Sequence, residues 1–138
     1  MKIYIASKYS RQAELHVIKK QIWEAGHEVV SSWIDECFGF DHDQIDEIIG
    51  RKFAMRDLCQ ISMADVVILE TLIPLSHDGG GGREFEAGFA FSGYQHKRFW
   101  RVGPAKNPFH YLADLTFENW ADCLIHLKGD TNAPKTVS

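Results

Sequence analysis

Four apolar residues, Val66-Val-Ile-Leu69, stand unbroken between Asp65 and Glu70. A strand with one face in water alternates polar and apolar residues, whereas an unbroken run belongs in a sheet covered on both faces. Such sheets are built from parallel strands joined by helices, and the rest of the chain supplies both. Lys2-Ile-Tyr-Ile-Ala6, His27-Glu-Val-Val-Ser31, Asp65–Leu69, Lys97–Val102 and Leu115–Phe117 read as strands. Between them lie helical patterns. Ser10 is the expected N-cap of a helix from Arg11, whose stripe of Leu15, Ile18, Ile22 and Trp23 stops at Gly26. Trp33 to Phe40 reads as a loop or lid. Asp41 or Asp43 is the expected cap of a long helix carrying Ile45, Ile48, Ile49, Phe53, Leu58 and Ile61. Arg83 to Tyr94 and Asn119 to Leu127 complete the helices, and a polar tail without structure is expected from Lys128. The expected fold is α/β: a single-domain, Rossmann-like three-layer sandwich over residues 1–127, with a mostly parallel five-stranded sheet and right-handed crossovers.

Composition narrows the partners. Nineteen acidic against fifteen basic residues give a net charge of −4, where a protein gripping nucleic-acid phosphates carries a basic excess. A nucleic-acid duplex is therefore not an expected partner. No apolar run approaches the roughly 20 residues that span a bilayer. A strand beginning within two residues of Met1 leaves no room for a signal peptide. Cys37, Cys59 and Cys123 are odd in number and without CxxC spacing, as for reduced thiols in a cytoplasm. The seven histidines show no metal-binding spacing, so no metal and no cofactor are expected.

Ligands of open α/β sheets bind beyond the carboxyl ends of the strands, here residues 4–11, 70–82 and 103–110. Gly79-Gly80-Gly81-Gly82 is neither a dinucleotide fingerprint nor a Walker loop. It would let a ligand approach the backbone and meet the amino end of a helix, or it is a plain surface loop. Ser7, Lys8, Ser10 and Arg11, with Gly80, Gly82 and Arg83, can hold a phosphate; they equally suit a solvated basic turn. Glu84 and Glu86 fall in the first turn of the third helix, where the dipole holds a carboxylate ionised, as suits a nucleophile or plain dipole compensation. Asp57 lies inside the second helix and Asp78 before the glycines, both in settings common for solvated aspartates. The four tryptophans are expected in the core, with Trp33 also placed to stack on a base.

Five segments in order resemble the nucleoside 2-deoxyribosyltransferase family and its relatives that hydrolyse nucleotide N-glycosidic bonds. They are Lys2-Ile-Tyr-Ile-Ala6, Arg56-Asp-Leu58, Ala64-Asp-Val-Val-Ile-Leu69, Gly82-Arg-Glu-Phe-Glu-Ala-Gly-Phe-Ala90 and Val102-Gly-Pro-Ala-Lys-Asn-Pro-Phe-His110. The resemblance implies Glu86 as the nucleophile that attacks C1′ of the sugar and Tyr4 as the group orienting it. It implies Asp57 on the sugar hydroxyls and Asp78 on the base and its leaving proton. Asn107 and Phe109 fall where the family lends residues from a neighbouring subunit, implying a homodimer or higher homo-oligomer. The segment between Asp78 and Glu86 is longer and richer in glycine than in the best-known transferases.

The expected activity is cleavage of a nucleoside or nucleotide N-glycosidic bond, with the deoxyribosyl group passed to another base. Two alternatives stand beside it: hydrolysis of a nucleoside 5′-monophosphate to base and sugar phosphate, and a non-catalytic nucleotide-binding module. The carboxylates suit the chemistry, because one can trap the oxocarbenium-like carbon while a second acid serves the departing base.

Overall fold

The computed structural model describes residues 1–36, 46–73, 81–92, 95 and 97–130. Among them, strands β1 (Lys2–Ala6), β2 (Glu28–Val29), β3 (Val66–Glu70), β4 (Arg98–Val102) and β5 (Leu115–Phe117) form one sheet in the order β2-β1-β3-β4-β5. Every pairing is parallel, with Ile3 opposite both Val29 and Val66, and Val66 opposite Arg98. Helices α1 (Gln12–Glu24) and α4 (Trp120–Asp130) pack together, while α2 (Glu47–Met63) and α3 (Gly82–Phe91) pack together against β1, β3 and β4. The apolar run of β3 sits in the middle: Val66, Val67, Ile68 and Leu69 have no exposed surface. Ile3, Ile5, Leu15, Ile22, Trp100 and Leu127 join them, each aliphatic side chain worth about 1.5–3 kcal/mol when fully buried. Among the described residues no helix is long and apolar enough to cross a membrane.

The order reverses between β1 and β3: the chain leaves β1 towards β2, then returns past β1 to lay down β3, β4 and β5. The connections above the carboxyl ends of β1 and β3 therefore diverge and leave a crevice, the ligand position in sheets of this order. Gly103 shapes its far side. At φ +116° it turns the chain after β4, and a Cβ there would lie 2.5 Å from Thr71 Oγ1 and 2.9 Å from the Leu72 nitrogen. Thr71 in turn donates to the Pro104 carbonyl at 2.6 Å.

Several boundaries differ from expectation. Ser10 does not cap α1; a 3-10 turn, Tyr9–Arg11, precedes the helix, and Arg11 at the cap position makes no side-chain capping bond. The cap of α2 is Asp46, whose Oδ1 accepts from the Ile49 nitrogen at 2.8 Å, and Asp41 and Asp43 lie outside the described residues. The α2 stripe is shallow: Ile61 is buried, but Ile48 is 69% exposed. Trp33, Trp100 and Trp120 are core residues, whereas Trp23 is 69% exposed, a quarter-turn around α1 from the buried Leu15 and Ile22. Trp33 gives its indole N–H to the Ile5 carbonyl at 2.9 Å and is not a free stacking surface. Helix α4 continues to Asp130, so Lys128 and Gly129 belong to the fold and not to a tail.

Candidate active site

Strand alternation turns Tyr4 towards the α2–α3 side of β1, where its phenol donates to Glu86 Oε2. Helix α3 starts at Gly82, so its first-turn acid is Glu84, while Glu86 is a full turn in. This corrects the expectation of a dipole-held, ionised Glu86. The amino-terminal dipole fades beyond the first turn, and burial dominates: it lifts the Glu86 pKa to about 8, with the nearby Asp57 charge adding to the rise. The Tyr4 hydrogen bond and Arg56 pull the other way. Burial, then the charges of Glu86 and Asp57, push the Tyr4 phenol far up, so Tyr4 acts as a donor and never as a base.

Arg56 and Asp57 arrive from α2. The Arg56 Nε and Nη2 donate to Asp57 Oδ1 at 3.1 and 2.8 Å, and Nη1 pairs with Glu36. Tyr9 donates to the other Glu36 oxygen at 2.9 Å, and the Arg56 guanidinium lies 5.1 Å over the Phe53 ring. Burial raises the Asp57 pKa against the pull of Arg56. Glu36 and Asp57 thus share the guanidinium of Arg56, and the charges of Asp57 and Arg56 act on Glu86 in opposite senses. Once Glu86 loses its proton, the cluster carries more negative than positive charge and suits positive charge developing beside it.

The β1–α1 connection is organised differently. Glu70, at the carboxyl end of β3 and 1% exposed, accepts from Ser7 Oγ at 2.7 Å and from Arg11 Nε and Nη2 at 2.9 and 3.0 Å. Trp120 gives its indole N–H to the same carboxylate. These bonds raise the Arg11 pKa, so its charge is permanent. Ser7 and Arg11 are therefore engaged within the protein, and the Lys8 carbonyl accepts from the Arg11 nitrogen to close the turn. Arg83 is 4% exposed; its Nη1 donates to the Glu70 and Ile73 carbonyls at 3.1 and 3.3 Å. Among the described residues the Arg83 Nε and Nη2 have no hydrogen-bond partner, although Nε lies 3.5 Å from Glu84 Oε1. Among the described residues, a Cβ at Gly82 would meet nothing within 4 Å.

Residues after β4 lock onto α3. His110, buried, accepts from the Lys106 N–H at Nδ1 (2.8 Å), which places its proton on Nε2, and Nε2 donates to Glu84 at 2.9 Å. Asn107 is turned inward on its own 3-10 turn, accepting from the Phe109 nitrogen at 2.9 Å. Phe109 is 71% exposed. Asp78 and Gly80 lie outside the described residues. The sequence reading brought Tyr4, Glu86 and Asp57 to one place and missed Glu36 and Glu70. Glu70 had a signal, as a charged residue closing an apolar central strand at a carboxyl end; Glu36 had none.

No protein-family model matches the chain, and no curated protein matches it by sequence. Solved structures do. A structure from the characterisation of a 2-deoxyribosyltransferase from the psychrotolerant bacterium Bacillus psychrosaccharolyticus aligns over 90% of both chains at 19% identity and a TM-score of 0.70. The chain has the fold of a 2-deoxyribosyltransferase. Two further structures share that fold. The CMP N-glycosidase BcmB of Clostridium botulinum aligns over 94% of this chain and 99% of its own, at 15% identity and a TM-score of 0.56. A conserved protein from Enterococcus faecalis V583 covers 94% and 98%, at 14% identity and 0.67. On the 2-deoxyribosyltransferase fold, the Tyr4–Glu86 pair stands at the reversal of strand order between β1 and β3.

Proposed function

We propose that this chain cleaves the N-glycosidic bond of a nucleoside through Glu86 and passes the deoxyribosyl group to a second base. The observation that carries the reading is the Glu86 carboxylate, half-buried at the reversal of strand order and accepting from a phenol that stays protonated. The two enzymes named on this fold, a 2-deoxyribosyltransferase and a CMP N-glycosidase, support the reaction class. In the first step a Glu86 oxygen bonds to C1′ as the C1′–N bond breaks, and the electron pair leaves with the base. Asp78 is the proposed donor of the proton that base takes up. A nitrogen of the second base then attacks C1′, the C1′–O bond to Glu86 breaks to free the carboxylate, and the proton on that nitrogen passes back to Asp78. Tyr4 holds the carboxylate in line, and Asp57, aligned by Arg56, takes the sugar hydroxyls. Glu36, Asp57 and Glu86 together favour the positive charge that gathers at C1′. In a homo-oligomer, the outward Phe109 would reach a neighbouring site.

Hydrolysis of a nucleoside 5′-monophosphate has one observation on its side. The Arg83 Nη2, without a hydrogen-bond partner among the described residues, lies at the amino end of α3, where an anion is welcome. Chromatography of nucleosides and 5′-monophosphates, with and without an added base, separates the two. A new nucleoside formed only with the added base, and lost in Glu86→Ala, is the expected result. Free base with sugar phosphate and no need of an acceptor would make the chain a hydrolase. Turnover undiminished in Glu86→Ala would remove Glu86 from the chemistry.

A further inference from the structure

An arginine on a helix surface is long and turns freely unless its guanidinium is held at more than one corner. Arg56 is held on both sides. Its Nε and Nη2 donate to Asp57 Oδ1, and Nη1 pairs with Glu36 Oε1. Tyr9 donates to Glu36 Oε2 at 2.9 Å, so both oxygens of that carboxylate are engaged. The backbone beneath Glu36 is fixed as well. The Gln12 amide, from α1, donates to the carbonyls of Trp33 and Glu36 at 2.7 and 2.9 Å. The Gln60 amide, from α2, donates to Ser32 Oγ at 2.7 Å and accepts from the Ser32 nitrogen at 3.1 Å. Between them Trp33 bonds to the Ile5 carbonyl of β1. The 3-10 turn Ser32–Asp35 is thus tied to α1, α2 and β1, and it ends on Glu36, whose side chain is 14% exposed.

We propose that Glu36 is a positioning residue: from its pinned turn it fixes Arg56, and Arg56 sets the Asp57 carboxylate against one hydroxyl of the sugar. The inference rests on the proposed reading of the Glu86 site for its substrate class. Glu36 does not touch the sugar. Both Arg56 bonds to Asp57 end on Oδ1, which leaves Oδ2 for the substrate. A group that must meet a hydroxyl within hydrogen-bond reach loses much of its value when displaced by about 1 Å. An ion pair open to solvent adds little to folding. The ties from Gln12, Gln60 and Tyr9 to one short turn are therefore better accounted for by placement than by stability.

The test uses variants that keep the charge of the cluster, so that stabilisation of C1′ is left as it was. Glu36→Asp retains the carboxylate but draws it back by one methylene, and Tyr9→Phe removes one of its ties. kcat/KM is measured for a deoxynucleoside and for its analogues lacking the 3′-hydroxyl or the 5′-hydroxyl. Glu36→Asp should lower kcat/KM for the deoxynucleoside about tenfold, as for one charge-assisted hydrogen bond. One analogue, the one without the hydroxyl that Asp57 takes, should stay within about twofold of its wild-type value. Tyr9→Phe should give the same pattern at smaller amplitude, and this arm decides if Glu36→Asp does not fold. Equal losses on all the compounds, or an unchanged rate on the deoxynucleoside, would overturn the proposal. If wild type cleaves none of them, the Glu86 reading fails by itself. Calorimetric affinities for the same compounds then replace kcat/KM, with the same pattern expected. Affinities that Glu36→Asp lowers alike, or a wild type that binds none of the compounds, would overturn the role of Glu36 as well.

Discussion

A carboxyl group that attacks carbon must first lose its proton, and Glu86 sits where that loss is resisted. With its pKa raised by burial to about 8, most of the protein holds the acid form of Glu86 near neutrality. If Glu86 is the nucleophile, kcat/KM rises with pH along a one-proton limb and levels off above about 8. A limb falling through the same range would make Glu86 the proton donor instead. Tyr4 decides how far up that limb neutral pH lies, because its hydrogen bond lowers the Glu86 pKa. Tyr4→Phe should move the limb to higher pH and cost about ten- to a hundredfold in kcat/KM at neutrality, as for one hydrogen bond to a charged group. An unmoved limb would mean that the phenol does not tune Glu86. These roles were only half legible in the sequence. The family resemblance brought out Glu86, Tyr4 and Asp57, but whether Glu86 is charged depends on burial one turn into the helix, which no motif reports.

At the scale of elements, apolar runs located the strands well because β3 and its neighbours are covered on both faces. Helix starts were read less well. Ser10 and Asp41 have the chemistry of caps, yet Tyr9–Arg11 forms a 3-10 turn that aims Arg11 at Glu70, and Asp46 takes the capping bond of α2. In each case a partner far along the chain, or an equally suitable residue nearby, decided between local options. The turn after β4 carries a sharper constraint. Gly103→Ala would put a methyl group against Thr71 and the backbone of Leu72, in a backbone region closed to most side chains. A loss of about 1–3 kcal/mol or more in unfolding free energy is expected from denaturant titration. The same change should weaken activity, since residues 103–112 hold α3 through His110 and Glu84. Stability within a few tenths of a kcal/mol of wild type would show that the turn relaxes freely.

For the molecule as a whole, the parallel sheet was readable from alternating strands and helices, but the strand order was not. Only the order β2-β1-β3-β4-β5 shows that the crevice opens between β1 and β3. That placement explains why Tyr4, at the third residue of the chain's first strand, meets Glu86 from a helix eighty residues later. It also explains why Glu70, closing the neighbouring strand, gathers Ser7 and Arg11. Everything in this account turns on a bond between Glu86 and C1′. The direct measurement is to mix the protein with a deoxynucleoside without acceptor base, quench in acid, digest and weigh the peptides. A deoxyribosyl ester on the peptide holding Glu86, discharged by added base and absent from Glu86→Gln, is the predicted result. An adduct on another carboxylate, or turnover in Glu86→Gln with no adduct, would contradict it.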